Sequence, residues 1–173
     1  GFEEFKAEIT GRDGKPATGA ATYPYQYTTS FAVNLVRGPA GTIAAFIPVG
    51  GDLKEIEVAL PPGLAGNPTA TDRCAAQDFN TVHIGFSPLE GNLFLNECPD
   101  SAVVGMATVG QLEGIGGSTK SPIYNLIPPR GMPAQLGFQV VGVPLYINTR
   151  VRSDGDYGIT AYLHNVTEAN RVT

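Results

Sequence analysis

The chain has 173 residues, a formal net charge of -5 and a pI near 4.9, with only 11 basic side chains. Scattered Lys and Arg exclude the clustered basic surface on which nucleic-acid binding draws, and no apolar run approaches the ~20 residues of a membrane helix. With 22 Gly, 14 Pro and charged residues at 16%, and without long helical periodicity, the composition favours short strands joined by Gly/Pro turns. The expected class is all-β: an antiparallel β-sandwich of jelly-roll or Greek-key type, with about ten strands and a single domain over residues 1–173. No charged-then-apolar leader opens the sequence, so an exported chain would have had its leader removed or left out.

In chain order, Phe5, Ala7 and Ile9 alternate with Lys6, Glu8 and Thr10, predicting a strand that turns at Arg12-Asp13-Gly14-Lys15-Pro16. Alternation from Tyr25 to Leu35 predicts the longest strand, ended by Arg37-Gly38-Pro39-Ala40-Gly41, with a short strand over Thr42 to Ile47. In Leu53 to Leu60, Ile56, Val58 and Leu60 face opposite to Glu55, Glu57 and Ala59, and Pro61-Pro62-Gly63 stops the strand. Thr71 to Phe79 is the one expected helix, with Thr71 as cap, Asp72 in the first turn and Cys74 inside. Thr81 to Phe86 reads as a short strand, Pro88 to Asn96 as a loop or hairpin, Ala102 to Leu112 as a strand and Gly114 to Ser121 as a Gly-rich connection.

The most legible stretch is Ser121 to Val166. Period-two alternation runs through Ala134, Leu136, Phe138 and Val140, again through Val143, Leu145, Ile147, Thr149 and Val151, and again through Ile159, Ala161 and Leu163. Asp154-Gly155 supplies the turn before the last of these. The apolar sides form a core face. The other sides, Gln135, Gln139, Tyr146, Asn148, Arg150, Arg152, Thr160, Tyr162 and His164, form a wet face with rings and hydrogen-bonding groups suited to a sugar or a protein partner. A merely solvated sheet face explains the same pattern, and the absence of Trp weakens the sugar version. Tyr23-Pro24-Tyr25-Gln26-Tyr27 is a second aromatic candidate, equally consistent with half-buried packing.

Chemistry-bearing motifs are few. Gly114-Ile115-Gly116-Gly117-Ser118-Thr119-Lys120-Ser121 lacks the Gly-Lys step and following helix of a phosphate loop. Asp154 and Asp156 supply only two carboxylates toward calcium, and their turn role suffices, so neither metal nor cofactor is expected. His83 and His164 alternate with apolar neighbours and read as exposed; a hydrolase with a scattered Ser-His-Asp site is the least favoured reading, with no Gly-x-Ser-x-Gly elbow or His-Glu-x-x-His helix. Asn165-Val166-Thr167 matches the glycosylation sequon, although alternation points Asn165 toward the core. Cys74 and Cys98 fit neither a zinc ribbon nor a Cys-x-x-Cys redox pair. One disulfide is the better reading of them and two buried thiols the alternative; low charge and abundant Gly, Thr and Asn favour the extracellular side.

The phrases TTSFAVN (Thr28 to Asn34), VALPPGLAGNPTA (Val58 to Ala70), RC (Arg73 to Cys74), CPDSAVVGMATV (Cys98 to Val109), PIYNLIPPRGMPAQLGF (Pro122 to Phe138) and SDGDYGIT (Ser153 to Thr160) occur in this order over most of the chain. Together they resemble the first β-rich region of a family of large, secreted bacterial surface proteins of unassigned activity. The resemblance implies export, pairing of Cys74 with Cys98, and membership of a longer modular chain; it names no ligand. Where that family tends to show Gly-x-His-Pro, this chain has Ala21-Thr22-Tyr23-Pro24, so no role tied to that histidine carries over. The leading expectation is a non-enzymatic extracellular or cell-surface module with a structural, assembly or adhesion role. Its partners would be neighbouring copies or domains, met through an unprotected strand edge such as Phe5 to Thr10. The alternative is a carbohydrate-binding module using the Tyr146, Arg150, Tyr162 face.

Overall fold

The computed structural model describes residues 2–19, 23–37, 46–51, 53–87, 91–110, 118–153 and 155–166. The fold is all-β, with antiparallel sheets and sandwich-like character. Its packing forms two compact units, residues 1–51 and 52–173.

In the first unit, β1 (Phe2–Thr10) and β2 (Gln26–Val33) form an antiparallel ribbon. Phe5 lies opposite Phe31, Ala7 opposite Thr29 and Ile9 opposite Tyr27, while Lys6 and Glu8 meet Ser30 and Thr28, so alternation sorts the ribbon into an apolar and a polar face. The turn after β1 is as expected, with Gly14 at φ 75° and a bridge between Thr10 and Pro16. The long strand expected over Tyr25 to Leu35 instead breaks at Asn34. Beyond it β3 (Leu35–Arg37) pairs with β4 (Phe46–Pro48), and the Asn34 carbonyl accepts a hydrogen bond from the Val49 N–H at 2.8 Å. Residues 42–45 of the short strand expected before Gly50 lie outside the described residues.

The second unit is organised by a six-stranded sheet containing β5 (Ile56–Ala59), β8 (Val103–Gly110), β9 (Ser118–Leu126), β10 (Gln135–Val140), β11 (Val143–Val151) and β12 (Ile159–Leu163), in the order β5-β12-β11-β10-β9-β8. β8 to β12 follow one another as a meander, and β5 adds beside β12. The excursion between β5 and β8 contains α1 (Ala76–Asn80), the ribbon of β6 (His83–Ser87) and β7 (Gly91–Leu95), and a 3-10 turn at Asp100–Ala102. The last four residues of the expected Gly114 to Ser121 connection are strand, because β9 starts at Ser118; residues 111–117 are outside the described residues.

One face of the sheet is the apolar side read from alternation. Phe138, Val140, Leu145 and Leu163 are buried there, with Ile56, Ala107, Val109, Ile123, Val143 and Ile147 packed against them. The β10–β11 hairpin that aligns them turns on Val141 (φ 49°) and Gly142 (φ 81°). Two left-handed residues make a turn whose twist matches the strands. Val141 is β-branched and adopts this conformation against its preference, at about 1–2 kcal/mol, while its side chain packs on the apolar cluster.

The second core lies on the opposite face and is built from Cys74, Phe79, Ala102, Tyr124 and Leu126. Here the expected helix is corrected. It begins at Ala76, with Ala75 at its N-cap and no capping side chain. Thr71 does not cap it; its Oγ1 accepts from Asn125 Nδ2 at 3.1 Å, and the same amide donates to the Pro68 and Asp72 carbonyls at 2.9 and 3.2 Å. Cys74 precedes the helix and bridges in parallel to Leu126, with its N–H donating to Asn125 O and its carbonyl accepting from Ile127 N–H. A disulfide joins Cys74 to Cys98, with Cα atoms 5.3 Å apart.

The end of β11 is fixed by Arg152. Its guanidinium donates to the Leu60 carbonyl at 3.0 Å, the Ile159 carbonyl at 2.9 Å and both Asp156 carboxylate oxygens, and Asp156 Oδ1 also accepts from Gly158 N–H. Gly155 takes φ 106° in the expected turn. Arg152→Met is expected to lower stability by ~2 kcal/mol, since two inward carbonyls lose a charged donor; denaturant titration measures it. The Arg152 guanidinium and the Gly158 N–H hold the Asp156 carboxyl below its ordinary value of 3.8. A depressed carboxylate stabilises the fold above its unfolded pKa, and that contribution disappears as pH falls through the folded value. The stability gap between wild type and Asp156→Asn should therefore be present at neutral pH and shrink in acid below about 3.9.

Candidate functional site: a divided polar face and an open edge

The polar face expected from alternation exists, but the structure divides it. Its half over β9, β10 and the start of β11 is covered by α1. Gln135 and Gln139 are only 8% and 6% exposed, which corrects their reading as wet. Gln139 Nε2 donates to the Phe79 carbonyl at 2.8 Å, Gln135 Nε2 to Asn148 Oδ1 at 2.8 Å, and Tyr146 Oη to Asn80 Oδ1 at 2.6 Å. Gln139 and Tyr146 fasten the helix to the sheet, and Gln135 ties β10 to β11. Thr160 is fully buried, and Arg152 serves the clamp described above, so neither belongs to an open surface.

The other half, over β11, β12 and β5, brings Asn148, Arg150, Tyr162 and His164 together, with Arg150 and His164 exposed and Asn148 and Tyr162 half-buried. Its polar groups are engaged with acidic neighbours: Arg150 pairs with Glu57, and His164 Nδ1 lies 3.2 Å from Glu55 Oε1, an ion pair whenever the imidazole is protonated. Both pairs are about half exposed, where each contributes roughly 0–1 kcal/mol. The Arg150 guanidinium sits 5.4 Å from the centroid of the Tyr162 ring, and the His164 ring is tilted against Tyr162 with centroids 5.0 Å apart. Beside this cluster a shallow cleft of about 360 Å³ is lined by Val143, Pro144, Tyr146, Asn148, His164 and Asn165, among others.

The remaining candidates fall elsewhere. His83 is exposed as expected and pairs with Glu97 at 2.9 Å. Asp154 lies outside the described residues and Asp156 is committed to Arg152. Among the described residues no group of three or more His, Cys, Asp or Glu side chains is placed to hold a metal, and no helix is long and apolar enough to cross a membrane. Asn165 is exposed at φ 59°, beyond the end of β12, which corrects its expected core orientation; Thr167 is outside the described residues. Tyr23 and Tyr25 are exposed, and the Arg12 guanidinium lies 5.3 Å from the Tyr25 ring centroid.

The sequence reading missed the edge of the six-stranded sheet. β8 is its terminal strand, hydrogen-bonded to β9 on one side and, among the described residues, to no strand on the other. Its sequence VVGMATVG has no charge and no proline, and Val104 and Met106 are 44% and 59% exposed. The opposite edge, β5, is short and flanked by Lys54, Glu55 and Pro61-Pro62, with Glu57 inside it. β1, the edge favoured from sequence, carries Glu3, Glu4, Lys6 and Glu8. Charges, proline, short length and bulges are devices that keep sheet edges from pairing with other chains; β8 has no charge, no proline and full length, and its one irregularity is a register shift between Val103 and Gly105 that leaves Gly105 to Gly110 in regular pairing with β9.

No protein-family model, curated protein or solved structure matches the chain.

Proposed function

We propose that the chain is a non-enzymatic extracellular module with a structural, assembly or adhesion role at a cell surface, joined to its neighbours by strand addition at β8. The observation that carries this reading is the uncharged, proline-free β8 edge, unpaired among the described residues, on a sheet whose other edge is short and charged. Main-chain hydrogen bonds along an exposed edge supply affinity, and alternate side chains supply selectivity. The disulfide supports the compartment, since such bonds persist in oxidising surroundings. In the test, Val104→Lys is introduced into the protein in its native surface setting. Because Val104 is exposed, thermal stability should hold while incorporation into surface material falls; unchanged incorporation would overturn the reading.

A second reading, carbohydrate binding, is favoured by one feature, the cleft beside Tyr146, Asn148 and His164. Against it, Arg150 and His164 occupy the surroundings of the Tyr162 ring that a sugar would need for stacking. Under this reading, a glycan array gives a signal that His164→Ala removes. A blank array disposes of it.

A further inference from the structure

We infer that the strand added to β8 is β8 of a second copy, running antiparallel about a two-fold axis near Met106 and Ala107. This deepens the assembly reading and rests on it. An isologous pair requires an edge compatible with itself, because across an antiparallel two-fold every side chain on one face meets the same strand's side chains on that face. Most charged strands fail this requirement in at least one register, since like charges directly opposite repel. β8 satisfies it in every register, having no charged residue from Val103 to Gly110.

The two-fold leaves the faces of the sheet matched. About an axis at Met106, Met106 of one copy falls beside Met106 of the other and Thr108 falls beside Val104, the position at which β8 shifts register against β9, so the exposed Met106 side chains, flanked by the exposed Val104 side chains, form one apolar patch. Gly105, Ala107 and Val109 likewise join across the axis on the face to which Ala107 and Val109 already contribute core contacts. The chain carries a net charge of -5, which opposes association over most of its surface, and an uncharged strand is where that opposition is least. The one charge on the adjoining strand is Lys120, opposite Thr108. In the pair the two Lys120 strands are separated by three strand spacings, about 14 Å, beyond a screening length of about 8 Å at physiological salt.

The pair is tested by sedimentation of the oxidised chain at micromolar concentration. Wild type should sediment at twice the monomer mass, Met106→Leu should do the same, and Met106→Lys, which places two ammonium groups beside each other at the axis, should sediment as a monomer. Met106 is 59% exposed, so an unchanged melting temperature separates lost pairing from lost folding. A monomeric wild type, or a dimer indifferent to Met106→Lys, overturns the inference. The surface-incorporation test with Val104→Lys then separates the two claims. A monomeric chain whose incorporation still depends on Val104 removes self-pairing and leaves strand addition to a different partner, whereas loss of both effects removes both.

Discussion

Phe79→Ala is expected to destabilise the second unit by about 3–5 kcal/mol, the range for emptying a buried phenylalanine site. Phe79 is fully buried, and its ring meets Tyr146 edge-on at 5.4 Å and Tyr124 at 6.3 Å. A five-residue helix does not hold itself together in water; this one exists because Phe79 seats on the sheet. The seat is Gly137. A Cβ built there would lie 2.6 Å from Phe79 Cζ and 2.8 Å from Leu126 Cδ1, so the missing side chain is the space that the ring fills, and Gly137→Ala should be destabilising on its own. In the Phe79→Ala background the two contacts with the ring are gone and the close approach to Leu126 Cδ1 is left, so the cost of the added methyl group should fall. Urea unfolding of both single variants and the double variant measures this coupling, expected at about 1–3 kcal/mol. Simple additivity would contradict the packing described here.

Removing the Cys74–Cys98 disulfide should cost a similar amount, about 3–4 kcal/mol for closure of a loop of this size. The covalent link also ties the sheet-bound Cys74 segment to the chain entering β8, so its loss loosens both the helix that lies over Gln135 and Gln139 and the strand that forms the open edge. The comparison is made with Cys74→Ala/Cys98→Ala by denaturant titration. An unchanged midpoint would show that the bond contributes nothing to the fold.

Period-two alternation was sufficient to assign Phe138, Leu145 and Leu163 to one buried face, because the physics of a strand is local and repeats every second residue. It could not reveal what covers the opposite face. Gln135 and Gln139 look wet in their own strand, yet both are buried: Gln139 donates to the Phe79 carbonyl of a helix about 60 residues earlier in the chain, and Gln135 donates to Asn148 of the next strand. The helix start was misread for a related reason: Thr71 and Asp72 have the chemistry of a cap, but Asn125 takes Thr71 and the Asp72 carbonyl into the sheet's own hydrogen bonding. Arg152 alternates onto the polar side, yet the carbonyls of Leu60 and Ile159 draw it inward. The β8 edge was illegible because being an edge is a property of strand order. The lack of charge in VVGMATVG is visible in the sequence, but its meaning depends on knowing that, among the described residues, β9 is the one strand that pairs with it.

The most direct measurement is amide hydrogen exchange along residues 103–110, comparing dilute isolated chain with the protein assembled in its surface setting. If β8 receives a strand from a neighbour, the β8 amides that do not bond to β9 exchange rapidly in the dilute chain and become protected on assembly, while the amides of β5 stay unchanged. Equally rapid exchange of those β8 amides in the two states would contradict strand addition at this edge.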